Sequence, residues 1–164
     1  MRVLIAYATH SGATLTLAEQ MDRILGDLGH DVVLTDVRED PVPAEADAAI
    51  IGSAIRVESY EKPFLQWTAA HAQELAQRPV ALFSCSGSAA DPAKQGRQKA
   101  TDAFLREAAF TPVAVRNFPG WVLMDRIPVH ERVLLRSLRT PTGDFRDLDA
   151  VAAWTREVAP LLGA

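Results

Sequence analysis

Met1-Arg2-Val3-Leu4-Ile5-Ala6-Tyr7-Ala8-Thr9-His10-Ser11-Gly12-Ala13-Thr14 opens the chain, and its reading decides the fold. Residues 3–8 form an unbroken apolar run, the pattern of a strand buried on both faces. Thr9-His10-Ser11-Gly12-Ala13-Thr14 then supplies three hydroxyls and one glycine, and beyond it the apolar period changes. Leu17, Met21, Ile24, Leu25 and Leu28 share one helical face, with Ala18 at its edge and Gly29 as a stop. The opening thus predicts strand, hydroxyl-rich loop, helix.

Working outward, the same alternation recurs. Residues 32–37, 48–53, 80–84 and 113–116 read as further strands. A second helix is expected where Phe64, Thr68, His71 and Leu75 align behind Pro63, and a third where Ala100, Phe104 and Ala108 precede Pro112. Leu148, Val151, Ala152, Ala159 and Leu162 give a last one. Strands alternating with helices imply right-handed crossovers, and the expected architecture is an α/β doubly wound parallel sheet of five strands, order 2-1-3-4-5. The 164 residues suit one domain.

The chain is 48% apolar and 23% charged, with a net charge of −4 that argues against a nucleic-acid partner. A single cysteine, Cys85, excludes an internal disulfide framework. No run approaches the length of a membrane span, and a cytoplasmic protein is expected. Charge is unevenly placed: residues 91–139 carry nine Lys/Arg against five Asp/Glu, whereas the remainder carries eight against sixteen. A local cationic region in an acidic protein points to an anionic ligand or surface, with a solvated helix face as the alternative.

In an open parallel sheet, ligands bind beyond the carboxyl ends of the strands, near the point where strand order reverses. Three loops fall there. Thr9, His10, Ser11, Gly12, Ala13 and Thr14 offer hydroxyls, a close backbone approach and helix N-terminal N–H groups, the components of a phosphate site. Plain capping by Ser11 or Thr14 is the competing reading. Neither GxxxxGK[ST] nor GxGxxG is present, which speaks against nucleotide hydrolysis and NAD binding. The second loop, Gly52-Ser53-Ala54-Ile55-Arg56-Val57-Glu58-Ser59-Tyr60, and the third, Ser84-Cys85-Ser86-Gly87-Ser88-Ala89-Ala90, are rich in small residues and suit a flat ligand between them. Arg56 is expected either at that ligand or paired with Glu58 or Glu61. His10 is expected at a phosphate or in solvent. Cys85, His71 and the tryptophans Trp67, Trp121 and Trp154 read as packing residues.

T-H-S-G-A-T after the first strand resembles the flavodoxin phosphate loop, [TS]-x-[TS]-G-x-[TS]. Over nearly its full length the chain is similar to one branch, the flavodoxin-like menaquinone-dependent protoporphyrinogen IX dehydrogenases. The stretches that carry this are Ile51-Gly52-Ser53-Ala54-Ile55-Arg56, then Tyr60, Phe64, His71 and Ala72, then Gly143-Asp144-Phe145-Arg146-Asp147-Leu148-Asp149-Ala150-Val151 and Trp154. The resemblance implies FMN as cofactor, its phosphate held by residues 9–14. It implies that Ser53, Ala54, Ile55 and Arg56 and Ser84, Cys85, Ser86, Gly87 and Ser88 frame the ring. It implies an organic substrate and a quinone acceptor. An electron-transfer flavodoxin with no substrate is the alternative, but such carriers dock through dense acidic surface, and the loops here hold few acids.

Residues 118–147 exceed what the fold requires. Within them, residues 128–139 can form a basic amphipathic helix, with Arg132, Arg136 and Arg139 on one face and Leu134, Leu135 and Leu138 on another. Docking of its leucines on the core is expected first; a partner or the anionic inner face of the cell membrane is the alternative.

Overall fold

All 164 residues are described in the computed structural model. β1 (Arg2–Ala8) is central, because its run of Val3, Leu4, Ile5 and Ala6 is buried on both sides. It pairs in parallel with β2 (Asp31–Asp36) and with β3 (Ala48–Arg56). β3 continues through a two-residue turn into β4 (Ser59–Tyr60), which folds back antiparallel. On its other side β3 pairs with β5 (Val80–Ser86), and β5 with β6 (Ala114–Pro119), both in parallel. The order β2-β1-β3-β5-β6 is the expected doubly wound order once short β4 is set aside.

Alternation along each strand divides the interior. Val3, Ile5, Ile50, Ala81, Phe83 and Cys85 face a layer formed by α1 (Ala13–Asp27) and α6 (Leu148–Leu162). Leu4, Ala6, Ile51 and Leu82 face the opposite layer, formed by α2 (Lys62–Ala70), α3 (Ala72–Ala76) and α4 (Lys99–Glu107). Leu17, Met21 and Leu25 of α1 are fully buried, and each contributes about 1.5–3 kcal/mol of apolar transfer. Gly52 of β3 admits the Phe83 ring of β5: a Cβ there would lie 2.2 Å from Phe83 Cε1.

Four expectations are corrected. The helix expected from Phe64 to Leu75 is two, separated at His71, whose ring packs on Trp67 with centroids 5.4 Å apart and also bonds the Asp40 carboxylate at 2.7 Å. Residues 53–56 are strand, not open loop, because Ser53 and Ala54 pair with β5 and Ile55 and Arg56 with β4. The last parallel strand begins and ends later than residues 113–116 suggested, since β5 offers pairing through Ser86. The basic helix exists as α5 (Val129–Ser137), but none of its residues is buried. It turns Glu131, Arg132 and Leu135 inward and leaves Val129, Val133, Leu134 and Leu138 exposed, Val133 at 64% and Leu138 at 67%. The arginines do not share a face: Arg132 Nε donates inward to the Ile127 carbonyl, and Arg139 lies past the helix end with φ 52°.

The surplus excursion is pinched at its base by β7 (Trp121–Val122) and β8 (Gly143–Asp144), an antiparallel pair reinforced by the Phe145 N–H on the Gly120 carbonyl. This neck carries α5 back over the loop between β1 and α1.

Candidate flavin site

The strand register brings the three loops to one edge. Ala8 lies opposite Ser53, and Ala54 opposite Cys85, so the chain after β1, the β3–β4 turn and the chain after β5 share the carboxyl end of the sheet.

The loop after β1 is shaped by Gly12, which sits at the start of α1 with φ 97°. A left-handed residue is tolerated there because Gly has no Cβ. The Trp121 ring packs over it, with Cζ2 3.2 Å from where a Cβ would stand. No side chain caps α1, so neither Ser11 nor Thr14 spends its hydroxyl on capping. Within the loop, Thr9 Oγ1 accepts the Gly12 N–H at 3.0 Å. Ser11 holds Trp121, whose Nε1–H points at the Ser11 carbonyl and hydroxyl at 3.1 and 3.2 Å. The N–H groups of Ala13, Thr14 and Leu15 find no acceptor in the chain. Thr14 is only 1% exposed, and its Oγ1 has no oxygen or nitrogen partner, only the Cys85 thiol beside it. Buried hydroxyls are ordinarily satisfied. Open N–H groups beside an orphaned hydroxyl at a helix N-terminus make a cradle suited to a phosphate.

Positive charge gathers around the cradle. Trp121 lies between two guanidiniums, with Arg126 Cζ 4.7 Å and Arg146 Cζ 4.3 Å from its ring centroid. Arg146 also donates to Thr16 Oγ1 and forks onto Asp144, which holds the Asp144 carboxyl below its ordinary range. Trp121 is thus more than a packing residue: it roofs the loop.

The β3–β4 turn places Val57 and Glu58 at φ 50° and 56°, left-handed values unfavourable for a β-branched side chain. Val57 stands 85% exposed at the rim. Ser53 is buried and committed to the backbone, donating to the Ala54 carbonyl and accepting the Glu61 N–H. Ser84 is likewise committed, to Asn117 Oδ1 at 2.6 Å. Ser86 Oγ caps the turn that contains Gly87 by accepting the Ala89 N–H, and Ser88 donates to Gln98. The hydroxyls of these two segments are therefore spent on local structure, and Ala54, Ile55 and Gly87 offer backbone and surface. Cys85 is 3% exposed, and burial pushes its thiol up to about 12, against the smaller opposing influence of neighbouring Thr14 and Arg146.

Glu131 of α5 was not foreseen as a site residue. Its Oε2 meets His10 Nε2 at 2.8 Å and its Oε1 accepts from Arg56 Nη1 at 2.7 Å. Partial burial acts to raise its pKa, but the bond and charge of His10, then of Arg56, outweigh it and hold the carboxyl below 4.5. Arg56 also meets Glu61 at 3.5 Å, whereas Glu58 reaches Lys99 instead. Sequence reasoning had no signal for this network, since 75 residues separate Arg56 from Glu131.

A doubly wound sheet of order β2-β1-β3-β5-β6, with a hydroxyl-rich loop after its first strand, has the architecture of the flavodoxin class of α/β proteins. The chain belongs to the flavodoxin domain family, whose model matches residues 4–149. It is 26% identical over 174 aligned residues to protoporphyrinogen IX dehydrogenase [quinone] of Escherichia coli K12, covering 98% of this chain and 96% of that one. The Leishmania major protein of the same name is 27% identical over 151 residues, covering 89% of this chain and 65% of the relative. Among solved structures, oxidised flavodoxin 1 of Bacillus cereus superposes with TM-score 0.66 at 15% identity, over 98% of both chains. A flavodoxin from the domain Archaea superposes with TM-score 0.64 at 16% identity over the whole of both. No helix is long and apolar enough to cross a membrane.

Proposed function

We propose that this chain is a single-domain FMN-dependent oxidoreductase that oxidises protoporphyrinogen IX and passes the electrons to a quinone. The observation that carries the flavin assignment is Thr14: a buried hydroxyl with no oxygen or nitrogen partner, beside three open N–H groups at a glycine-shaped helix start. The dehydrogenase reading rests on near full-length similarity to relatives of that name. When bound, the flavin supplies two-electron chemistry; the protein supplies position and electrostatics.

In this reading Thr9, Ser11, Gly12, Ala13 and Thr14 hold the phosphate, while His10 of the same loop is turned to Glu131. Residues 53–56 and 84–88 frame the ring through backbone and apolar surface, since their hydroxyls are engaged. Trp121 roofs the phosphate loop and limits water there. The rim cations Arg56, Arg126 and Arg146 favour an anionic substrate over the acid-docking partner of an electron carrier. The outward face of α5 combines exposed aliphatics with Arg136 and Arg139, which pair with no carboxylate, and this suits peripheral contact with an anionic bilayer where quinone resides.

The purified protein is expected to show flavin absorption bands, or to acquire them with added FMN. Anaerobic protoporphyrinogen should bleach those bands, and a menaquinone analogue should restore them. A protein that takes up no FMN removes the whole proposal; one that binds FMN but is not reduced by protoporphyrinogen is a carrier instead. Arg136→Gln/Arg139→Gln should lose binding to anionic vesicles while keeping its flavin, and unchanged binding removes the membrane contact.

A further inference from the structure

Two donors from different parts of the fold converge on one carboxylate. His10, in the loop after β1, takes one oxygen of Glu131, and Arg56, at the end of β3, takes the other. Arg56 does not depend on Glu131 for its place. Glu61, 7% exposed, lies beneath it, and its buried Oε1 has no other partner than the Arg56 Nε at 3.5 Å. Glu131, in contrast, belongs to a helix with no buried residue. The Arg132 bond to the Ile127 carbonyl is internal to the excursion. Arg56 is therefore fixed from below and His10 is carried by the loop after β1, while the carboxylate they hold belongs to a helix with no buried residue.

We infer that His10 and Arg56 are a carboxylate clamp, that Glu131 is its internal occupant, and that a carboxylate of the tetrapyrrole substrate takes the place of Glu131 and releases α5 from the site. The inference rests on the substrate reading above. Exchange of one carboxylate for another keeps the charge and the hydrogen bonds of the clamp, so only the geometry of α5 changes. A ligand that must displace an internal competitor binds more weakly by the fraction of molecules already open. Removing the competitor therefore raises affinity, the reverse of what deletion of an ordinary structural ion pair would do to a binding site. The phosphate of FMN is the other anion of the region, and the experiment separates the two sources.

The test is equilibrium binding of deuteroporphyrin IX, a dicarboxylate, and of its dimethyl ester to the FMN-loaded protein, followed by porphyrin fluorescence. Glu131→Ala is expected to tighten the diacid roughly three- to tenfold and to leave the ester unchanged. Glu131→Gln, which keeps size and loses charge, should move the same way. Arg56→Gln should abolish the preference for diacid over ester. In the wild type, hydrogen exchange of residues 129–137 should accelerate when the diacid binds and not when the ester binds. Equal diacid affinity in wild type and both Glu131 variants overturns the clamp and leaves the substrate reading standing. Tighter FMN binding in Glu131→Ala, with porphyrin binding unchanged, makes the displacing anion the flavin phosphate and overturns the carboxylate assignment. Failure of both porphyrins to bind wild type and Glu131→Ala overturns the substrate reading, and the clamp with it.

Discussion

Replacing Thr14 by Val exchanges a hydroxyl for a methyl of nearly the same size at a position 1% exposed. The geometry predicts two effects of opposite sign. Without flavin, Thr14 Oγ1 is a buried group whose only polar neighbour is the weakly accepting Cys85 sulfur. Such a group costs about 1–3 kcal/mol, so flavin-free Thr14→Val should be more stable than wild type by up to that amount. In the proposed flavin complex the hydroxyl donates to the phosphate, and hydrogen bonds to charged groups contribute about 1.5–3 kcal/mol. FMN affinity should therefore fall roughly ten- to 150-fold. Urea unfolding of the flavin-free proteins reads the first effect, and quenching of FMN fluorescence on titration reads the second. If flavin-free Thr14→Val is destabilised, the hydroxyl is satisfied without ligand. If FMN binds the variant as well as wild type, the phosphate does not sit on this loop. Either result refutes the reasoning.

Cys85 should resist alkylation in the native protein at pH 8 and react fully in denaturant, because burial pushes its thiol up to about 12; rapid native labelling would show an open path to β5. Gly52→Ala should destabilise by about 1–3 kcal/mol, since the new methyl meets the Phe83 ring at 2.2 Å, and urea unfolding of the double variant with Phe83→Leu should recover part of that loss. The Glu131 carboxyl is held below its ordinary 4.5, so its network with His10, Arg56 and the more distant His130 stabilises the fold above that pH and loses its contribution as pH falls through the folded value. The stability difference between wild type and Glu131→Gln should accordingly be present at pH 6 and shrink toward pH 3; a difference constant with pH would mean that the carboxylate charge is not what matters.

The sheet and its flanking helices were legible because their signals are local and redundant. Val3 to Ala8, the Leu17–Leu25 stripe and Val80 to Ser84 each state a period that burial then enforces. The loop after β1 stood out for the same reason, as three hydroxyls and a glycine lie within six residues. What could not be read depends on long-range pairing. The turn after Arg56 carries no Asn-Gly or Asp-Gly, yet Val57 and Glu58 take left-handed backbone because β3 and β4 pair around them. The amphipathicity of α5 was visible, but the rule that apolar faces turn inward failed: polar ties to His10 and Arg56 fix the inward face, and Leu134 and Leu138 turn outward. Trp121 and Glu131 carried no local mark, since their meaning lies in residues more than 70 positions away.

The neck at Trp121–Val122 and Gly143–Asp144 has an evolutionary consequence. Between its two short strands Ile127 is the one buried side chain, and α5 contributes no buried residue to either core layer. Substitutions there, Ile127 aside, meet a lower stability threshold than in the sheet, which cannot drift without penalty. The molecule separates a part that must stay constant from a part free to diversify. New substrate preferences can accumulate in the excursion while the redox scaffold beneath it is inherited unchanged.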